Sequence, residues 1–409
     1  MATTIQTPLP TDPESTMLLL AATDHNISVL ESLLKNTSAN VYEPETRQTA
    51  LHVAVASCTP EDSEEELKAA EETLKLLLLN GAIWNDLDVS GETPACIADR
   101  LGLKSLYNIL VEAGVRAELI LGRLGGYLQL SDGEESEEEE IGDDEEAPEL
   151  VQEADTVGTP QTELTQPELE PEEEIKEDVN SKDYLASKLT YHDDKLLDED
   201  NNGVMMEWER GIMERSVNAL VKEEGKRILN IGFGMGIIDG LFQEKKPSHH
   251  VIVEAHPDVL KKMKEDGWDQ KEGVEILEGR WQDVIPDLVN RNITFHAIYF
   301  DTFAESYDEL RLFFTEYVIG LLAPLSEGGK FSFFHGLGAD RRISYDVYTR
   351  IVEIDMLEAG LETRWDIVPL KKDDEEEDGM EEGGKVWDGV KRRYWILPEY
   401  KLPIAEFLA

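Results

Sequence analysis

The stretch Arg227-Ile-Leu-Asn-Ile-Gly-Phe-Gly-Met-Gly-Ile-Ile-Asp239 constrains the fold more than any other part of the chain. Residues 227–233 read as a short buried strand. Gly232-Phe233-Gly234-Met235-Gly236 reads as a turn that only glycines can make so tightly, and Ile237 onward as the first turn of a helix. Strand, glycine turn and helix N-terminus together make a floor with backbone N–H groups facing outward, on which a nucleoside cofactor can lie. The competing reading is a glycine-rich turn in an ordinary α/β domain.

The flanking pattern extends this unit. From residue 181 to 409 strands alternate with helical stretches, which implies a largely parallel sheet. Strands are expected at 227–233, 250–256, 274–281, 295–301, 330–335, 363–370 and 392–397, and helices at 257–266, 307–322 and 345–358. An acidic loop, 373–382, separates the last two strands, which read as a closing hairpin-like pair. Seven strands so arranged are similar to the Rossmann-like sheet of class I methyltransferases rather than to a six-stranded dinucleotide fold.

Residues 1–130 read differently. Thr49-Ala-Leu-His-Val-Ala54 and Thr93-Pro-Ala-Cys-Ile-Ala98 are two versions of the ankyrin phrase T-P-L-H-x-A. Helical stretches at 15–20 and 28–34 supply an earlier unit, and 74–79 an outer helix stopped at Asn80-Gly81. The copies start 44 residues apart, and an acidic insertion at 59–66 accounts for the excess over roughly 33. An all-α ankyrin-repeat-like domain is expected, with His52 ordering its turn by hydrogen bonding. Such stacked units commonly present a partner-binding surface, and a plain helical bundle is the alternative. Between the two domains, 131–180 is a run of acids and prolines with almost no aromatics, expected to be a disordered linker.

Charge and cysteine usage narrow the function classes. The 409 residues carry 88 acids against 38 Lys and Arg, a net charge of −50 that repels nucleic-acid phosphates and anionic membranes. A basic protein is the complementary partner, gathered by the acidic tract if that tract is more than a spacer. Two cysteines, Cys58 and Cys96, suit a reducing compartment rather than a disulfide framework, and no His cluster supports a metal site. The N-terminal residues lack a basic signal-peptide region, and no apolar run is long enough to suggest a membrane span. A soluble monomer is expected in the cytoplasm, with the nucleus left open.

The glycine turn then selects a cofactor. The dinucleotide fingerprint G-x-G-x-x-G fails in both registers, since Ile237 or Asp239 stands at the sixth position. Glu254 follows Gly232 by 22 residues, where an acid accepts hydrogen bonds from ribose hydroxyls. Trp281-Gln282 follows the third strand and Asp301 ends the fourth, so all converge on the crevice at the strands' carboxyl ends. Val204-Met-Met-Glu-Trp-Glu-Arg-Gly-Ile-Met213 interleaves apolar and acidic residues, and read blandly is an amphipathic helix packed on the sheet.

That phrase resembles the V-M-x-x-W-E-x-x-x-M segment of guanidinoacetate methyltransferases. The G-F-G-M run at Gly232 and the segment Tyr299-Phe-Asp-Thr-Phe303 resemble the same family. With an ankyrin-like domain in front, the layout is similar to the fungal type IV protein arginine methyltransferases. The resemblance implies S-adenosylmethionine as cofactor and the δ (N5) nitrogen of an arginine in a large-subunit ribosomal protein as acceptor. By position it implies that Tyr191, Met205 and Met206 cover the cofactor. Gly232, Phe233, Gly234, Met235, Gly236 and Ile237 would line its methionine portion, Glu254, Ala255 and His256 hold its ribose, and Trp281 and Gln282 its adenine. Glu209 and Asp301 match the acids that hold a guanidino group, Asp301 also bordering the cofactor. Carboxylates pair bidentately with a planar guanidinium, so these residue types suit that role. Two alternatives stand: a small-molecule guanidino methyltransferase with an interaction domain attached, and a non-catalytic ankyrin scaffold.

Overall fold

The computed structural model describes residues 12–131, 181–370, 385–391 and 393–408. The expected linker and the acidic loop 373–382 lie outside the described residues.

Six helices form the N-terminal region: α1 (Pro13–Thr23), α2 (Ile27–Leu33), α3 (Ala50–Ala56), α4 (Glu64–Leu79), α5 (Pro94–Arg100) and α6 (Lys104–Ser131). They stack as three pairs, with α1, α3 and α5 in one row and α2, α4 and α6 in the other. Short polar residues set where the helices begin. Asp12, Asn26 and Thr93 each accept a backbone N–H of the first turn, and Ser63 with Glu66 forms a capping box. Helix α4 therefore starts at Glu64, inside the acidic stretch 59–66. The Nδ1 of His52 accepts the Thr49 N–H at 3.1 Å, and its Nε2 reaches the Glu92 carbonyl at 3.0 Å, tying one repeat to the next. Burial lowers the His52 pKa, in keeping with a neutral ring in that position.

The second region holds α7 (Ser181–Ala186), β1 (Thr190–Tyr191), β2 (Lys195–Leu197), β3 (Gly203–Met206), α8 (Arg210–Leu220), β4 (Arg227–Ile231), α9 (Ile237–Glu244), β5 (His249–Glu254) and α10 (Pro257–Glu265). It continues with β6 (Val274–Glu278), α11 (Trp281–Asn290), β7 (Ala297–Phe300), α12 (Tyr307–Leu312), a π-helical turn (Phe313–Val318), α13 (Ile319–Leu321), β8 (Lys330–Phe333), α14 (Arg342–Glu358), β9 (Leu361–Pro369) and β10 (Glu399–Phe407). The first three strands make a small antiparallel sheet. The other seven lie in the order β6-β5-β4-β7-β8-β10-β9, parallel as far as β8, with β10 antiparallel to both neighbours. This is the class I methyltransferase sheet. Successive strand residues face opposite layers: Leu229, Ile231 and Ile298 pack towards α11 and α14, while Ile228, Ala297 and Tyr299 pack towards α8, α9 and α10.

Helix α14 is covered on both sides. Its Val352 and Met356 enter the sheet core, whereas Ile343, Val347 and Ile351 enter the core of the ankyrin-like helices. Gly114 of α6 comes so close that an added Cβ would lie 2.7 Å from Val347. Tyr107 also donates to Asp346 at 2.6 Å across this contact.

Further sequence expectations are corrected. The closing strand is Glu399–Phe407, not 392–397, and the described residues 393–398 are not in a strand. The phrase 204–213 is not one amphipathic helix. It is strand β3, a 3-10 turn at Glu207–Glu209 and the start of α8, so Glu209 sits at a bend instead of on a helix face.

Candidate active site

Strand β4 ends at Ile231 and the chain turns at Gly232, whose φ of +91° few side chains tolerate. A Cβ there would lie 1.9 Å from the Asp301 carbonyl oxygen, so the turn and the end of β7 meet backbone to backbone. The Asp301 N–H donates to Ile231 O at 2.8 Å and the Gly232 N–H to Val253 O at 2.9 Å, which brings three strand ends together. Beneath the turn, Asn230 Nδ2 donates to Gly232 O at 2.7 Å and to both oxygens of buried Asp239, at 3.0 and 2.9 Å. His250 Nε2 lies 3.1 Å from the same acid.

Glu254 ends β5 and is buried. Its Oε2 accepts the Phe233 N–H at 2.9 Å, and its Oε1 accepts those of Ala255 at 2.7 Å and His256 at 2.6 Å. Burial pushes its pKa up, against the pull of these three donors and of the Gly234 N–H.

A narrow cavity runs along this crevice. Of the residues expected at the cofactor, Met205, Gly232, Gly234, Glu254, Ala255, Trp281 and Asp301 line it. The others stand behind that wall and hold it. Tyr191 donates its phenol to Gly234 O at 3.1 Å, and the Met235 N–H meets Met205 Sδ at 3.2 Å. Phe233 packs edge-on to Trp268 and under Gly236, whose added Cβ would lie 2.4 Å from the ring. Ile237 is buried in the first turn of α9, and Met206 is buried with its N–H on Glu209 Oε1 at 3.2 Å. His256 is buried, accepting the Asp258 N–H at 3.1 Å to cap α10. Gln282 donates to Glu305 at 3.1 Å.

Several lining residues carried no sequence signal: Tyr184, Arg280 and Glu305. Glu305 accepts from Trp281 Nε1 at 2.9 Å and from Thr302 Oγ1 at 2.7 Å, and so fixes the indole in the wall. The open glycine floor, the acid at the end of β5 and the aromatic wall at Trp281 fit a nucleoside sulfonium such as S-adenosylmethionine.

A wider cleft, about 1190 Å³, shares Val204, Arg280, Asp301, Phe303 and Glu305 with this cavity and adds Glu209, Phe334, Asp340 and Tyr394. Asp301 thus borders both spaces. Its Oδ2 is buried and has no hydrogen-bond partner among the described residues. Burial, then the charge of Asp239, raises Asp301 to about 7. Glu209 is 4% exposed, and burial with the neighbouring Asp301 charge raises it to about 8, despite hydrogen bonds from Tyr394 and the Met206 N–H. Two acids that resist ionising, one with an orphaned oxygen, make a receptor that a cation would complete.

Residues 175–337 match a family model described as Guanidinoacetate N-methyltransferase. Over nearly the full chain the similarity is to fungal proteins. "Protein arginine N-methyltransferase 2" of Aspergillus fumigatus is 47% identical over 419 residues, covering 96% of this chain and 96% of that protein. The protein of the same name from Gibberella zeae is 47% identical over 405 residues, covering 93% and 89%. Among solved structures, an S-adenosylmethionine dependent methyltransferase from Mesorhizobium loti is similar at 15% identity over 39% of this chain and 83% of that one, with a TM-score of 0.30.

Proposed function

The chain belongs to the protein arginine N-methyltransferase 2 family, and from that premise we propose that it methylates the internal δ-nitrogen of an arginine in a basic protein of the large ribosomal subunit. The observation that carries this reading is the pair Glu209 and Asp301, two buried acids on one cleft, with Asp301 also at the cofactor cavity. When bound, S-adenosylmethionine supplies an electrophilic methyl on a sulfonium. Gly232 and Gly234 would face its methionine portion, Glu254 its ribose and Trp281 its adenine.

The chain's acids do the rest. A guanidinium is a poor nucleophile because its charge and lone pairs are delocalised over three nitrogens. Glu209 and Asp301 would pair with its terminal nitrogens, hold positive charge there and leave the δ-nitrogen lone pair freer to attack. In the transfer one N–C bond forms, one S–C bond breaks with its electrons left on sulfur, and the nitrogen gives up a proton to a carboxylate or to water. Holding the acceptor in line with the methyl at the junction of the two spaces supplies much of the rate.

A free guanidino metabolite would satisfy the same two acids, and the family-model match over 175–337 favours that second reading. The breadth of the cleft favours the first, because small-ligand pockets run from about 300 to 1,000 Å³. The test is incubation with methyl-labelled cofactor and either basic ribosomal proteins or guanidinoacetate, followed by fragment mass spectrometry. Label on the internal nitrogen of a protein arginine is expected. Label on a terminal nitrogen refutes the δ assignment, and label only on guanidinoacetate refutes the protein substrate.

A further inference from the structure

Glu209 does not stand alone at the cleft. The phenol of Tyr394, 185 residues further along the chain, donates a hydrogen bond to its Oε1. The Met206 N–H donates to the same oxygen at 3.2 Å. Both donors converge on Oε1, and no described donor occupies Oε2. The carboxyl is therefore turned, with one oxygen bound to the protein and the other left for the cleft that Glu209 and Tyr394 line together.

Tyr394 is itself held. Its ring meets Trp387 edge-on at 5.0 Å and Trp208 at 6.0 Å. The segment that carries it is tied down on both sides. The Lys391 N–H donates to Asn201 O at 2.8 Å, and the Ile396 N–H donates to Ala339 O at 3.2 Å. Before these, the buried Lys195 ammonium donates to the carbonyls of Asp388 at 2.9 Å and Val386 at 3.4 Å. The ring also needs Gly203, where an added Cβ would lie 3.0 Å from Tyr394 Cε1. A side chain fixed this firmly, with its one polar atom aimed at a cleft acid, acts on that acid.

We propose that Tyr394 is a positioning residue for Glu209, turning Oε2 towards the guanidino group and helping the carboxylate to carry its charge in a buried site. This rests on Glu209 as a guanidino ligand. Among the described residues, Asp301 and the phenols of Tyr394, Tyr299 and Tyr400 act electrostatically with Glu209; on its own turn, Glu207 is paired with Arg210. Asp301 opposes ionisation of Glu209, while the Tyr394 donor favours it. Without that donor only one backbone N–H remains on the carboxyl.

The test is Tyr394→Phe, which removes one oxygen and keeps the ring. Hydrogen bonds to a charged group are strong enough that the Glu209 titration should move up by about one pH unit or more. It can be read by carboxyl NMR of ¹³C-glutamate-labelled protein without substrate, the signal being identified by its loss in Glu209→Gln. The acid limb of the kcat/KM profile should move with it, giving about a tenfold loss at pH 7 that recovers above pH 9. Difluorotyrosine at position 394, a stronger donor, should move both the other way. A packing role alone would lower kcat/KM equally at every pH and leave the titration in place, and that result overturns the proposal. If the titration moves but no arginine is methylated by either protein, the substrate reading fails and the role of Tyr394 stands.

Discussion

Replacing Glu209 with glutamine should stabilise the folded protein at alkaline pH while abolishing methyl transfer. Glu209 is buried and raised from 4.5 to about 8, first by burial and then by Asp301. The sign follows from that direction. A folded value above the unfolded one means that the contribution is fully present below about pH 4.5 and is lost as pH rises through 8. At 1.36 kcal/mol per pH unit, the interval corresponds to roughly 5 kcal/mol once the acid is ionised in both states. Glutamine removes that term, and its carbonyl oxygen can still accept from Tyr394 and the Met206 N–H. Thermal unfolding of both proteins at pH 5, 7 and 9 reads the effect. The variant should melt within about 2 °C of the parent at pH 5 and several degrees above it at pH 9. A melting difference that does not change with pH would refute the claim that Glu209 is held neutral by its surroundings.

Other changes test other joints. Gly232→Ala places a Cβ against the Asp301 carbonyl at a φ of +91°; a loss of about 2–3 kcal/mol in chemical denaturation and at least a ~100-fold fall in methyl transfer are expected. Asp301→Asn keeps the shape of the site but not its charge, so transfer should fall by at least ~100-fold while titration calorimetry finds cofactor affinity within about threefold of the parent. Val347→Asp puts a charge between α14 and the ankyrin-like helices, and should cost about 3 kcal/mol or more, with both halves losing structure in one calorimetric transition.

What the sequence disclosed and what it hid have physical causes. Local rules are written in neighbouring residues. The glycine turn, the acid ending the next strand, the helix caps and the alternation of buried strands could all be read directly. The closing strand was harder, because Pro403 stands inside Glu399–Phe407 and proline argues against a central strand. There β8 reaches the Pro403 carbonyl through the Ser332 hydroxyl at 2.6 Å, while β10 and β8 pair at Ala405 and Phe331. Trp281 was expected to end a strand, yet it opens α11 with its indole fixed by Glu305. Tyr394 and the covering of α14 left no local mark, since each depends on residues far apart in the chain. The positions behind the cavity wall, such as His256 and Phe233, carry family-like residues whose visible contacts are with the protein itself.

Guanidinium recognition is tested most directly by counting protons. At pH 7 Glu209, at about 8, is mostly neutral and Asp301, at about 7, is half ionised. A bound arginine should ionise both. Calorimetric titration of an arginine-bearing substrate peptide, in the presence of S-adenosylhomocysteine and in buffers of different ionisation enthalpy, gives the number released. More than one proton should leave per peptide bound at pH 7, falling towards none at pH 9. Binding with no proton release at pH 7, or with uptake, would contradict recognition by these two acids.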